Sequence, residues 1–328
     1  MGVVMAGQTF AAGLRAEFLK TYEPLYKGLE RLDTAMDRDI PSDKYQEKFV
    51  YWTSTPYMRR WRRGESMIHG AFKSVQWTVT NLEWALAVPW HFADEQDDQT
   101  SSLVQHVRRG AATAALLDER VFYQILSAGT DAALLSSVPS APDGVALCYA
   151  TDGDGGDRFG YSGGNLISGA GVATASALKT DYYKALVAFN SFTDTEGQPL
   201  LDPSIVDGGV TIFAGEANRQ VWEEFLYQRI QPFANSTSNA GVSNVLQDAS
   251  KKIKVVLTQR ITDNDYWIFL DGCPVKPIFS MLRQPQREVM QDFENSDATR
   301  DQGEKSMRWW LRKGYGVALP YGVIKVNN

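Results

Sequence analysis

Residues 81–129 read NLEWALAVPWHFADEQDDQTSSLVQHVRRGAATAALLDERVFYQILSAG, and their order decides the fold. Leu82, Trp84, Leu86 and Val88 alternate with other residues at period two, a strand signal that closes in a short apolar strand over 86–90. Asp94, Glu95, Asp97 and Asp98 then stop it. Leu103, Val107, Ala111, Ala114, Leu117, Val121 and Ile125 recur at three- and four-residue steps, which predicts one long helix over 100–128 with a single apolar stripe. Its core is expected at Leu103, Val107, Leu117, Val121 and Ile125. The carboxylates lie where the helix dipole favours them, and Gly129 stands where a C-terminal stop is expected. At 1.5 Å per residue the helix is roughly 40 Å long, enough to brace a whole subunit.

Upstream, the chain turns from helix to ribbon. Phe10, Leu14, Phe18, Leu25, Leu29 and Leu32 give residues 8–32 a helical period that Pro24 should break or kink. Residues 33–46 are polar and read as an exposed arm or linker. From 49 to 79, β-branched and aromatic residues replace helix formers, with Trp77 and Val79 at strand spacing. Between them stand Arg59, Arg60, Trp61, Arg62, Arg63 and Glu65, with Gly64 and Gly70 as turn points. The segment reads as a long two-stranded ribbon with a charged tip, too long and too charged to fold back on its own core.

Downstream, residues 130–176 are rich in Gly, Ser, Asp and Ala and lack a period. A loop of that length is expected to be functional or mobile. Helices are expected over 179–192 and 216–229, and strands over 210–214, 254–258 and 266–270. The tail alternates again from Trp309 to Leu319 and then at Val323, Ile324 and Val326. No internal repeat is visible.

Composition narrows the function. Hydrophobic residues make up 44% and aromatics 12%, enough for a sizeable core. The net charge of −6 argues against an electrostatic nucleic-acid binder. Nine tryptophans suit cores and protein–protein interfaces. Cys148 and Cys273 form no disulfide framework and fit a reducing cytoplasm. The N-terminus lacks signal-peptide character, and no apolar stretch reaches membrane-spanning length.

Catalytic and metal motifs are missing. His69, His91 and His106 form no close pair, and there is no H-E-x-x-H, G-x-S-x-G, P-loop or G-x-G-x-x-G. Asp152, Asp154 and Asp157 fail the calcium-loop pattern: its sixth position is Asp157 and its twelfth is Gly163. They read as a solvated turn. The Arg and Trp cluster at 59–63 reads as a contact with a neighbouring subunit in preference to nucleic acid.

At this point a family is recognisable. The run 45–129 resembles the major head subunit of Mu-like phages. Pro56-Tyr57-Met58-Arg59-Arg60-Trp61 with Arg63-Gly64 carries the likeness, as does Asn81-Leu82-Glu83-Trp84 leading through Val88 to 94–98. The whole order is similar to the Hong Kong 97-type capsid fold of tailed phages, and the tail Arg312-Lys313-Gly314-Tyr315 with Pro320 and Ile324-Lys325 is similar to the end of such proteins. The resemblance implies an α+β fold: an N-terminal arm at 1–46, an extended loop at 47–80, and a peripheral domain with spine helix and insertion loop at 81–179. An axial domain at 180–283 and a return to the peripheral domain at 284–328 would follow. It implies a major capsid protein, not an enzyme, that assembles as hexamers and pentamers into an icosahedral shell around double-stranded DNA. The alternative of the same fold is an encapsulin-like compartment shell. The extended loop, with Arg59, Arg60, Trp61, Arg62, Arg63 and Glu65, would make the inter-subunit contacts.

Implied partners are the chain itself, a separate scaffolding protein, a portal protein, a decoration protein, and packaged DNA held without sequence specificity. Membrane, metal and cofactor are not implied. The protein would reside in the virion after assembly in the host cytoplasm. The separate scaffold is expected because the arm-like helix begins within about ten residues of Met1, where other proteins of this fold carry a cleavable scaffold.

Overall fold

The computed structural model describes residues 7–52, 58, 60–64, 66, 74–91, 93, 102–129, 131, 134–227, 230–232, 241–243, 252–291 and 303–328. Helix α1 (Gly7–Lys27) runs through Pro24 without breaking and tightens into a 3-10 turn over Gly28–Leu32. A proline removes one helical donor, and here the change of helix type begins four residues later. The stretch expected as an exposed linker contains strand β1 (Met36–Pro41), which starts at a buried Met36. Next come β2 (Gln46–Trp52), β3 (Ser74–Thr80) and β4 (Leu82–His91).

The spine is two helical segments, α2 (Ser102–Ala115) and α3 (Leu117–Ser127), joined at Leu116 (φ −88°, ψ 11°). Hydrogen bonds from Leu116 N to Ala112 O (3.3 Å) and from Arg120 N to Leu116 O (3.0 Å) carry the ladder across the joint. The expected single helix is therefore a helix with a local kink. The left-handed terminal residue is Ala128 (φ 51°), one position before the expected Gly129.

The kink also shifts the buried face. Leu103, Val107 and Ala111 are buried on α2, and Val121 and Ile125 on α3. Between them the buried positions are Ala115, Asp118 and Glu119, while Ala114 and Leu117 are only partly buried. Leu117 is thus a border residue, not the core position expected.

Two sheets flank the spine. The first has the order β1–β11–β12–β4, with β11 at Ile278–Gln291 and β12 at Glu304–Val317. Pro285 lies in β11 where the register with β12 shifts, a place where a missing donor is tolerated. Pro89 lies in β4, an edge strand, for the same reason. The second sheet joins β5 (Leu166–Ser168), β13 (Val323–Asn327), β10 (Tyr266–Leu270), β6 (Val210–Gly215) and β9 (Ile253–Thr258) in that spatial order. Helices α4 (Ala175–Ser191), α5 (Pro203–Val206) and α6 (Arg219–Tyr227) accompany it. Strands β7 (Ile230–Pro232) and β8 (Gly241–Ser243) make a separate antiparallel pair.

The spine works on both sheets. Its first half buries Leu103, Val107 and Ala111 against Leu14 and Phe18 of α1 and against Trp90, Met307 and Trp309. Phe18 stacks on Trp309 with ring centres 4.2 Å apart. Gly110 faces β4 so closely that an added Cβ would lie 3.1 Å from Leu86 Cδ2, so the missing side chain sets the helix–sheet distance. The second half buries Val121, Phe122 and Ile125 against Phe213, Trp267 and Phe269 of one sheet and Ile278, Tyr315 and Val317 of the other. The opposite face of the five-stranded sheet packs on α4 and α6 through Leu178, Phe189, Trp222 and Phe225.

Strand β11 begins at Ile278, so the boundary expected at 283/284 falls within a strand. Strand β13, expected with the returning peripheral segment, pairs with β10 and β5 in the second sheet.

Candidate assembly surface

The ribbon is present as expected at its root. β2 and β3 pair antiparallel from Gln46 opposite Thr80 to Trp52 opposite Ser74. Contrary to expectation, that root lies on its own subunit. Phe49 stacks on Trp77 at 5.5 Å and meets Phe279 edge-on at 5.1 Å. Val79 is buried with Phe279, Met281 and Ala318. Gly316 makes room, because a Cβ there would lie 2.6 Å from Phe279. Buried Asn81 clamps the base: its Nδ2 donates to Ser42 Oγ and Lys44 O, each at 2.8 Å.

Of the six residues expected at the tip, Arg59 and Glu65 lie outside the described residues. Arg60, Arg62 and Arg63 are exposed, Trp61 is 62% exposed, and Met58 is fully exposed. Three guanidinium groups and two large apolar side chains are thus presented outward on one short segment.

Beside the root lies a cleft of about 850 Å³. Tyr51 and Val75 of the ribbon form one wall, with Phe159, Leu319 and Tyr321 behind them. Asp143, Asp152, Asp154, Asp157 and Asp194 also line it. Burial, then the negative Asp194, pushes the Tyr51 hydroxyl up to about 12, so it stays a neutral donor. Asp152 Oδ1 accepts from Asp154 N (3.1 Å) and Gly156 N (2.8 Å), which makes the run the tight turn expected. Asp154 and Asp157 are exposed.

The insertion at 130–176 is built around a buried cation. Arg158 is 1% exposed. Its Nε and Nη2 donate to both oxygens of Asp143 at 2.7 and 2.9 Å. Its Nη1 donates to Ala146 O, Leu147 O and Asn165 Oδ1. Asn165 Nδ2 passes the network on to Leu147 O, Pro320 O and Val323 O. A buried guanidinium is tolerable only when paired and hydrogen-bonded in this way. The insertion, expected as a loop, is here an ordered wall of the cleft.

A second buried network ties the spine to both its flanks. Lys313 of β12 is 3% exposed, and its Nζ lies 2.7 Å from Asp118 of α3 and 2.7 Å from Asp39 of β1. Tyr315 Oη donates to Asp118 Oδ1 at 2.7 Å, and Tyr26 Oη donates to Asp39. Burial raises the Asp39 carboxyl, but the charge and hydrogen bond of Lys313 and the Tyr26 bond outweigh it and hold the group below its usual value. Burial, then Asp118, pushes the Tyr315 hydroxyl well up. Neither network is visible in the sequence: Arg158 lies in a stretch that reads as loop, and the spacing of Asp118 and Lys313 on a helix and a strand does not show that the two meet.

Among the described residues no His, Cys, Asp and Glu group could hold a metal. His91 and His106 stand apart on β4 and α2, and His69 lies outside the described residues. Burial pushes the Cys148 thiol up to about 12, which leaves little nucleophilic thiolate. No described helix is long and apolar enough to cross a membrane.

An outward ribbon, a spine helix between two sheets and a sheet-and-helix second half define an α+β shell subunit of the Hong Kong 97 type. Solved structures share this fold. The capsid of the cyanophage P-SCSP1u is similar over 89% of this chain and 85% of its own, at 15% identity and TM-score 0.54. The capsid of an empty GTA particle is similar over 91% and 90%, at 10% identity and TM-score 0.55. A virus-like particle from Pyrococcus furiosus is similar over 96% and 98%, at 11% identity and TM-score 0.51. No curated protein matches the chain. The family described as phage capsid protein matches residues 78–326, and the chain belongs to that family. It is a major capsid protein of a tailed phage, a structural protein of the virion whose copies assemble into a shell.

Proposed function

We propose that this chain is the repeating unit of an icosahedral head, built from its hexamers and pentamers, that encloses a double-stranded DNA genome. The observation that carries the reading is the extent of the family match, which runs from the second ribbon strand to the last strand of the body. The net charge of −6 supports it, because a wall of that charge does not trap entering DNA. In this reading the ribbon tip, with Arg59, Arg60, Trp61, Arg62, Arg63 and Glu65, makes the contacts between subunits. Leu103, Val107, Val121 and Ile125 hold the spine rigid, and Leu117 borders that core.

The peripheral part comprises the spine and the four-stranded sheet, and the axial part comprises the five-stranded sheet with α4–α6. Quasi-equivalent contacts differ little in energy, so a separate scaffolding protein sets curvature in the host cytoplasm. A portal protein and a decoration protein complete the head. Electron microscopy of the protein expressed with and without its scaffold tests this. Uniform heads holding nuclease-protected DNA in infected cells support it, and particles that never enclose nucleic acid overturn it.

A second reading of the same fold is an encapsulin-like compartment shell. An enzyme recovered inside purified shells in place of DNA would select it.

A further inference from the structure

We propose that the groove along the spine joint is a docking site for an acidic peptide segment of another protein, one that carries a large apolar side chain beside its carboxylates. The groove has two connected parts, and three observations assign its occupant.

The first is charge. Between α3 and the turn after β9 lies a cleft of about 970 Å³ that holds four arginines and three carboxylates. Arg31 and Arg260 share the buried Glu119. Arg219 pairs with Glu216 just ahead of α6, and Asp131 is exposed. Arg120, half-buried on α3, has no ion-pair partner among the described residues. The cleft is thus locally positive on a chain whose net charge is −6. A guanidinium that is partly desolvated and unpaired favours a carboxylate, which it can grip with two parallel hydrogen bonds.

The second is the apolar slot that continues the cleft. Arg120 and Leu134 line both the cleft and a slot of about 200 Å³ between the spine and the four-stranded sheet. Ala114 and Leu117, the stripe residues that the kink at Leu116 leaves partly buried, form one side. Trp84, Leu86 and Leu311 form the other. The kink therefore turns two positions of the expected core into the wall of a pocket. A large apolar side chain seated in such a pocket is the usual anchor of an interface.

The third is hydrogen bonding. Gln124 of the cleft and Gln286 of the slot each have a buried Oε1 with no donor, and Trp309 of the slot has a buried Nε1–H with no acceptor. Buried polar atoms are normally paired. A peptide backbone brings N–H and C=O groups together and answers both kinds. A DNA phosphodiester backbone brings acceptors alone and leaves both glutamine oxygens unanswered. The walls are held before anything binds: Gln124 Nε2 donates to Leu135 O at 2.9 Å, and Glu119 lies between its two arginines. A pre-formed groove avoids the entropy of ordering its walls on binding.

A random peptide library displayed on yeast and sorted against the full-length protein tests this. Enriched peptides should combine Asp or Glu with Leu, Phe or Trp, and a synthetic copy of one should bind more weakly as salt rises. Arg120→Glu reverses the unpaired cation of the cleft, and Thr113→Phe fills the slot from an exposed helix position. Each should weaken that peptide at least about tenfold, with thermal melts that overlay the parent. Thr113→Phe carries the test alone if charge reversal beside Glu119 unsettles the fold. No enrichment, enriched peptides without acidic residues, or binding indifferent to these variants overturns the inference. A short DNA duplex that displaces the peptide and is itself lost with Arg120→Glu makes nucleic acid the occupant and overturns it. A synthetic peptide of residues 92–98, FADEQDD, that binds as tightly makes a second copy the occupant and also overturns it. Shell formation by the parent is read separately by microscopy, so the shell-subunit reading stands or falls apart from this one.

Discussion

The chain carries its charges in two opposite settings. At the ribbon tip, Arg60, Arg62 and Arg63 lie in water on an outward segment. At the spine, Lys313 and Asp118 are almost wholly buried and each meets more than one partner. Exposed ion pairs are worth little to folding, whereas a buried ion left without its partner is costly. The difference teaches where each group's free energy is spent. The spine charges are satisfied within one subunit and belong to folding. The tip charges, in the contacts proposed for the ribbon tip, are satisfied between subunits and belong to assembly.

Breaking the buried network should give the largest loss of subunit stability. Lys313→Met leaves the Asp118 carboxylate buried beside Tyr315 and is expected to cost about 3–5 kcal/mol in denaturant melts. Replacing both members, Lys313→Met with Asp118→Leu, should cost less than the single change, because no orphaned charge remains at that pair. A single variant as stable as the parent would contradict the assignment of this network to folding.

Next come the spine methyl groups. Ile125→Ala, at a position 1% exposed, should cost about 2–5 kcal/mol. Leu103→Ala, at 6%, should approach the lower end of that range, and Leu117→Ala should cost least because its site is only partly buried. Position along one unbroken helix ranks Leu117 above Leu103, which lies nearer the helix end. Melts of the three variants decide between the two orders, and a dominant Leu117 loss would mean that the kink at Leu116 relaxes.

That reversal marks what the sequence could and could not reveal. Periods reveal elements: the 3.6-residue stripe found both spine segments, and the alternation at Trp77–Val79 and Leu82–Val88 found the ribbon and β4. Period carries no information about a one-residue shift at a kink, so the stripe runs through Ala114 and Leu117 where the structure buries Ala115 and Asp118. Strand β1 was hidden because Asp37, Arg38 and Asp39 are polar yet lie in a sheet. Strand β11 was hidden because Arg283, Gln284, Gln286 and Arg287 interrupt its apolar pattern, and Pro285 signals a break where the structure has only a register shift. The tip of the candidate surface was legible as an Arg and Trp run. The cleft was not, because its walls come from four segments far apart in sequence, and Arg158 looks like any loop arginine until its partners converge.

Acid should separate the two settings by a smaller step. Asp39 has its pKa lowered in the folded subunit. The native state therefore binds fewer protons than the unfolded chain as pH falls through the ordinary aspartate value of about 3.9. The stability contributed by Asp39 is present above that pH and lost below it, as the carboxylate is titrated through its depressed folded value. Midpoints of unfolding between pH 6 and pH 3 should fall less steeply in Asp39→Asn than in the parent. Parallel curves would remove Asp39 from the network's energetics. At the other extreme, burial pushes the hydroxyls of Tyr123 and Tyr182 up to about 12. Their contribution holds below about pH 10 and is lost above it as the unfolded chain ionises first.

The smallest stability effect belongs to the tip, and it is the sharpest test of the contrast. Arg60, Arg62 and Arg63 are exposed, so single replacements by alanine should change the unfolding free energy of the free subunit by less than about 0.5 kcal/mol. Two-state melts of each variant should overlay the parent. The same variants should weaken shell formation, and their difference from the parent should shrink as salt rises, since a contact made between subunits by exposed arginines is screened over a Debye length of about 8 Å at physiological ionic strength. Lys313→Met should show the reverse profile: a large loss in the melt, and an assembly defect no greater than its unfolded fraction explains. If alanine at the tip destabilised the isolated subunit by more than about 1 kcal/mol, those arginines would be serving the fold of their own chain. The division of charge between folding and assembly would then fail at the place where it is drawn most clearly.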